Sequence, residues 1–174
     1  MVRLQERMTN AIRILGLDPG LRRTGWGVVV CEGARLSHIA HGVIAPDDQA
    51  PLSERLLRLY EGISAVIVAH APQEAAVEET FVTANGASTL KLGHARAAAM
   101  IAPAAAGLPV AEYAAKVVKK AGGGTGRADK AQVAFMIARL LPAAGVSAGD
   151  CADALAVAIC HAHARRARRF ERAA

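Results

Sequence analysis

Apolar and polar positions along the chain follow two different rhythms, and the switches between them mark its elements. Residues 12–17 form an apolar run that stops at Asp18-Pro19-Gly20, where proline and glycine enforce a turn, so the run predicts a strand. Residues 25–31 and 36–45 are two more β-rich runs separated by short polar segments, which predicts an antiparallel meander continuing from the first strand. Residues 51–70 carry Leu52, Leu56, Leu59, Ile63 and Val66 at helical spacing. Residues 75–78 are short, apolar and closed by an acid, the pattern of a buried strand. An alanine-rich helix is expected over 87–106, disturbed near its end by Pro103, and a further short strand over 109–113. After these come a basic helical turn with Lys116, Lys119 and Lys120, a glycine cluster at 122–126, a helix at about 128–141 and a last helix from about Asp150. Ser147 stands three residues before Asp150, a capping pattern that marks the start of that helix.

This order implies an α/β fold, a mixed sheet with helices on its faces, because each strand–helix–strand unit is a parallel crossover. The 174 residues fit one compact domain. Residues 1–11 are polar and aperiodic and read as a leader, a loose or disordered arm, before a single domain at 12–174.

Composition refines this picture. Alanine supplies 40 of the residues and aromatic residues only 3%, so the core must be built from closely spaced elements with small contacts. No apolar run reaches the ~18–20 residues that a membrane span needs, and the polar start is unlike a signal peptide. Cys31, Cys151 and Cys160 make no CxxC pair, which favours a reduced, cytoplasmic setting over a disulfide framework or a zinc site.

The net charge of +6 hides two populations: residues 91–130 and 161–174 are strongly basic, whereas 1–90 and 131–160 carry a slight acidic excess. A basic excess of this kind points to a polyanion, nucleic acid first and an anionic membrane surface second. The plain alternative is that Arg165, Arg166, Arg168, Arg169 and Arg172 are a solvated helix end, where cations suit the macrodipole.

The acidic minority carries the chemistry. Asp18 ends the first strand, Glu78 ends the fourth, and Asp150 and Asp153 share one face at the start of the last helix. Ends of adjacent parallel strands open into one crevice. If strands one and four are neighbours, Asp18 and Glu78 meet there, and a helix packed beside them delivers both aspartates. Four such carboxylates would repel and raise one another's pKa, so a divalent cation is the natural compensation, and hard oxygen ligands favour Mg2+ or Mn2+ over zinc. The bland reading makes Asp150 and Asp153 ordinary first-turn acids and Asp18 a turn residue. Glu78, closing an apolar strand, is harder to explain that way.

Several stretches together resemble the RuvC family of Holliday-junction resolvases. They are Ile14-Leu-Gly-Leu-Asp-Pro-Gly20 with Thr24-Gly-Trp-Gly-Val28, Ala76-Val-Glu-Glu-Thr-Phe81, Leu90-Lys-Leu-Gly-His-Ala-Arg96, Glu112-Tyr-Ala-Ala115, Lys130-Ala-Gln-Val133 and Asp150-Cys-Ala-Asp-Ala-Leu-Ala156. The similarity spans about residues 12–163. It implies a ribonuclease-H-like fold with a five-stranded mixed sheet flanked by helices, a homodimer, and Mg2+-dependent nicking of two like-oriented strands of four-way junction DNA. It further implies that Asp18, Glu78, Asp150 and Asp153 are the catalytic, metal-binding carboxylates, holding one or two ions, with Mn2+ as a substitute for Mg2+. Lys119 and Lys130 match lysines that face the DNA, and Phe81 matches an aromatic that inserts at the junction's bases. A branch-migration complex of RuvA and RuvB is the implied partner.

On pattern alone, Phe81 would be a core residue after a strand and the lysines would be solvated. Two other function classes remain in view. A catalytically silent branched-DNA-binding module would use the same basic segments, and the Asp-Pro-Gly loop also resembles the phosphate loops of actin-like ATPases, whose fold needs two lobes.

Overall fold

The structure, a computed structural model, describes residues 11–79, 84–124, 126–146 and 149–171. Residues 1–10 of the expected leader, Phe81, Ser147 and Arg172 lie outside the described residues.

Three strands come first, β1 (Ala11–Asp18), β2 (Thr24–Glu32) and β3 (Arg35–Ile44), followed by α1 (Leu52–His70) and β4 (Glu74–Glu78). Then follow α2 (Gly86–Ala105), β5 (Val110–Tyr113), α3 (Ala115–Gly123), α4 (Lys130–Leu140), a 3-10 turn (Pro142–Ala144) and α5 (Asp150–Glu171). The five strands form one sheet in the order β3-β2-β1-β4-β5. β1, β2 and β3 are an antiparallel meander, and β4 and β5 run parallel to β1 through helical crossovers. This is the mixed sheet that the sequence pattern implies.

The strands alternate between two buried layers. Ile14, Val29 and Ala76 face α5 together with Val133 and Ile137 of α4, while Leu15, Leu17, Val28, Ala75 and Val77 face Leu59 and Ile63 of α1 and Ala95, Ala99 and Ala102 of α2. The alanine excess is what allows close approach. Ala152, Ala154, Ala156 and Ala158 of α5 are all buried, Ala154 and Ala158 against the sheet. There the sheet presents glycine: a Cβ at Gly16 would collide with the main-chain oxygen of Ala154, and one at Gly25 with that of Asp150. These two absent side chains fix how α5 lies across β1 and β2.

Two elements depart from expectation. Pro103 does not disturb α2. It is buried inside the helix, which continues to Ala105, because a proline in the last turn removes only one hydrogen bond near an end already short of partners. The expected basic turn is a nine-residue helix, α3, which runs into the glycine cluster and is closed by Gly124 at a φ of 77°. All three cysteines are free, as the sequence suggested. Among the described residues no helix is long and apolar enough to cross a membrane.

Candidate active site

Asp18 is the last residue of β1, paired with Gly25 of β2 on one side. On the other side β4 runs parallel, with Leu17 opposite Val77, so Asp18 and Glu78 are the next residues on two neighbouring strands and end at the same edge of the sheet. Gly25 leaves room for the Asp150 main chain directly against β2, which brings the first turn of α5 to that edge. Asp153 donates its N–H to Gly149 O at 3.0 Å and falls on the same face of the helix as Asp150. The four carboxylates predicted from sequence are thus assembled by a strand end, its parallel neighbour and one helix N-terminus.

Their electrostatics are those of crowded acids. Burial, then the charges of Glu78, Asp153 and Asp150, push the Asp18 carboxyl from 3.8 up to about 7. Burial and Asp153 raise Glu78, with Lys119 and Lys130 opposing. Burial also raises Asp153, again against the pull of Lys130 and Lys119. Both predicted lysines therefore stand within electrostatic reach of the acids. Lys130 Nζ is 3.6 Å from Asp153 Oδ2. Lys130 is held there as the first residue of α4, whose N-terminus is fixed by a reciprocal capping pair: Asp129 accepts from Gln132 N–H at 2.8 Å, and Gln132 accepts from Asp129 N–H at 2.9 Å. Lys119 lies on α3.

Sequence reasoning missed a third cation. Arg23 Nε lies 2.5 Å from Asp150 Oδ2. The loop that carries it, between β1 and β2, is tied down at several points. Gly20 N–H donates to Thr24 Oγ1 at 3.2 Å, and the buried Thr24 hydroxyl donates to Gly20 O at 2.8 Å. Arg55 of α1 donates to Leu21 O at 3.1 Å and to Asp48 at 3.0 Å, and Arg22 pairs with Asp48 at 3.4 Å. The available signal was the Arg22-Arg23 doublet directly after the Asp-Pro-Gly turn. As placed, no three carboxylate, imidazole or thiol groups among the described residues stand close enough to share an ion.

A second polar network, also unforeseen, lies farther along α5. His161 Nε2 is 2.6 Å from Glu74 Oε2, Tyr113 Oη is 2.9 Å from His161 Nδ1, and Arg165 Nε donates to Glu74 Oε1 at 2.9 Å. It joins the start of β4, the end of β5 and the middle of α5.

The family described as crossover junction endodeoxyribonuclease RuvC matches residues 14–161. A protein of that name from Caulobacter sp. (strain K31) is 70% identical over 158 residues, covering 91% of this chain and 94% of its own length. The one from Maricaulis maris (strain MCS10) is 64% identical over 160 residues, covering 92% and 96%. Among solved structures, T. thermophilus RuvC in complex with Holliday junction substrate superposes with a TM-score of 0.83 at 33% identity, over 90% of this chain and 96% of the other.

Proposed function

The chain belongs to the RuvC family of crossover junction endodeoxyribonucleases, and from that premise we propose that it is a structure-selective endonuclease that resolves Holliday junctions in recombination and repair. The observation that carries the proposal is the convergence of Asp18, Glu78, Asp150 and Asp153 at one edge of the sheet, with Lys119 and Lys130 beside them. A silent branched-DNA-binding module gains nothing from acids crowded together where DNA phosphates would approach, which disfavours that rival.

The four carboxylates fit a hard divalent cation, Mg2+ or Mn2+. They are oxygen donors, they repel one another, and an ion removes the penalty that holds Asp18 near neutrality. Asp18, Glu78, Asp150 and Asp153 would hold one or two ions. When bound, the ion supplies an activated water and neutralises charge at the phosphodiester under attack.

The remaining work falls to the chain. Asp18, held near 7, gives up its proton to bind. Lys119 and Lys130 hold backbone phosphate at the rim, and Phe81, three residues after Glu78, stacks on bases opened at the branch point. Leu90, Gly93, Ala97 and Ile101 recur at helical spacing on α2, and Leu90 and Ile101 are exposed. Such an apolar stripe supports a homodimer, whose two-fold axis would place two sites on two like-oriented strands. A cytoplasmic location, with RuvA and RuvB as the branch-migration partners, completes the reading.

The test is incubation with a labelled four-way junction, with and without Mg2+, resolved on a denaturing gel beside linear duplex. Paired, symmetric nicks that need both the junction and the ion are expected. Equal cutting of linear duplex, or cutting in chelator, would contradict the proposal.

A further inference from the structure

Arg23 makes the shorter of the two ion pairs at this edge, 2.5 Å to Asp150 against 3.6 Å from Lys130 to Asp153. Its main chain is fixed, because Thr24 and Gly20 close the loop on one side and Arg55 binds Leu21 O on the other. Its side chain is 61% exposed and reaches only Asp150, at 2.5 Å. The guanidinium is thus open to solvent on an anchored main chain. A divalent ion drawn to Asp150 would meet a carboxylate oxygen already engaged and a positive charge beside it. Ion and guanidinium therefore compete for one group.

We propose that Arg23 is an exchangeable counter-ion: it neutralises and positions Asp150 in the ion-free site, and its displacement sets how much metal the site needs before it fills. The proposal rests on reading the four carboxylates as a metal site. It makes Arg23 a positioning residue that acts through Asp150. The neighbouring Arg22 pairs with Asp48 instead and serves as the internal control.

Calorimetric titration of Mn2+ into DNA-free protein tests it. Arg23→Ala, on an exposed side chain, should bind the ion about 1.5-fold to fivefold more tightly than the parent, the scale of an accessible ion pair. Arg23→Lys should return most of the parental affinity, and Arg22→Ala should match the parent. A second readout is the Arg23 Nε–H signal in an NMR titration with Mg2+, which should move from a hydrogen-bonded to a solvent-exchanging state as the site fills. Equal affinity in the parent and Arg23→Ala, or an Nε–H signal that stays protected at saturation, would overturn the role of Arg23 alone. Absence of ion binding in every variant would instead overturn the metal reading beneath it.

Discussion

Two carboxylates on neighbouring strands of one sheet meet opposite fates. Asp18 ends β1 and Glu74 begins β4, and α5 serves both, with Asp150 and Asp153 in its first turn and His161 and Arg165 farther along. Burial pushes each carboxyl upward. Glu74 nevertheless ends below its ordinary value, because hydrogen bonds from His161 and Arg165 favour its charged form. Asp18 ends near 7, because its burial, the largest cause, is reinforced by three more acids. His161, its own pKa lowered chiefly by burial, completes the network as a neutral ring. A single tautomer suffices: Nε2–H donates to Glu74 while Nδ1 accepts from the Tyr113 hydroxyl. One cluster balances its carboxylate with cationic and hydrogen-bonding partners, whereas the other crowds four carboxylates together. What separates Glu74 from Asp18 here is both the deeper burial of Asp18 and the sign of the charges around each.

The largest effect expected from this contrast is on cutting. Asp18→Asn or Glu78→Gln should lower junction cleavage about 10³-fold, the scale for removing one group that stabilises developing charge. The melting temperature of the metal-free protein should hold or rise, since repulsion is relieved. Glu74→Ala should do the reverse. It strands His161 and Arg165 and should cost about 1–3 kcal/mol of folding stability, the scale of a buried donor left without its partner. Cleavage per folded molecule should stay at the parental rate. A Glu74→Ala protein that melts normally yet cannot cut would erase the distinction between the two regions.

Stability against pH sharpens the contrast further. The raised Asp18 pKa contributes stability that is full below its ordinary value of 3.8 and is lost as pH rises through about 7. Glu74 and His161 have lowered values, so their stability is present above their ordinary values of 4.5 and 6.5 and is lost as pH falls below those. Calorimetry in chelator should therefore find a melting temperature that declines on both sides of a mildly acidic optimum. Asp18→Asn should flatten the alkaline side and leave the acid side unchanged; an unchanged alkaline decline would remove Asp18 as its cause. The smallest effect is expected from Lys130→Ala, about a tenfold loss of cleavage with a shallower salt dependence of junction binding, by roughly one phosphate contact. An unaltered salt slope would return Lys130 to the role of partner to Asp153 only.

Much of the working edge was legible because its signals are local. Asp18 stands immediately before a Pro-Gly turn, Glu78 closes a short apolar strand, and Asp150 and Asp153 are one helical turn apart. The meander followed by crossovers could be read because each strand switches rhythm cleanly. The satisfied network was invisible for the opposite reason. Its bonds join residues 48, 87 and 91 positions apart, and no local pattern marks them. Arg165 read as part of a solvated basic tail, yet it is half of what holds Glu74. Arg23 hid in the same way: its partner Asp150 lies 127 positions away.

The most direct measurement pairs the parent protein with Asp18→Asn on a labelled four-way junction in Mg2+, reading cleavage on a denaturing gel and binding by mobility shift in the same samples. The parent should bind and produce paired, symmetric nicks, whereas the variant should bind as well and leave every strand intact. Nicking by Asp18→Asn at the parental rate, with the same Mg2+ requirement, would contradict the assignment of this edge as the cutting centre.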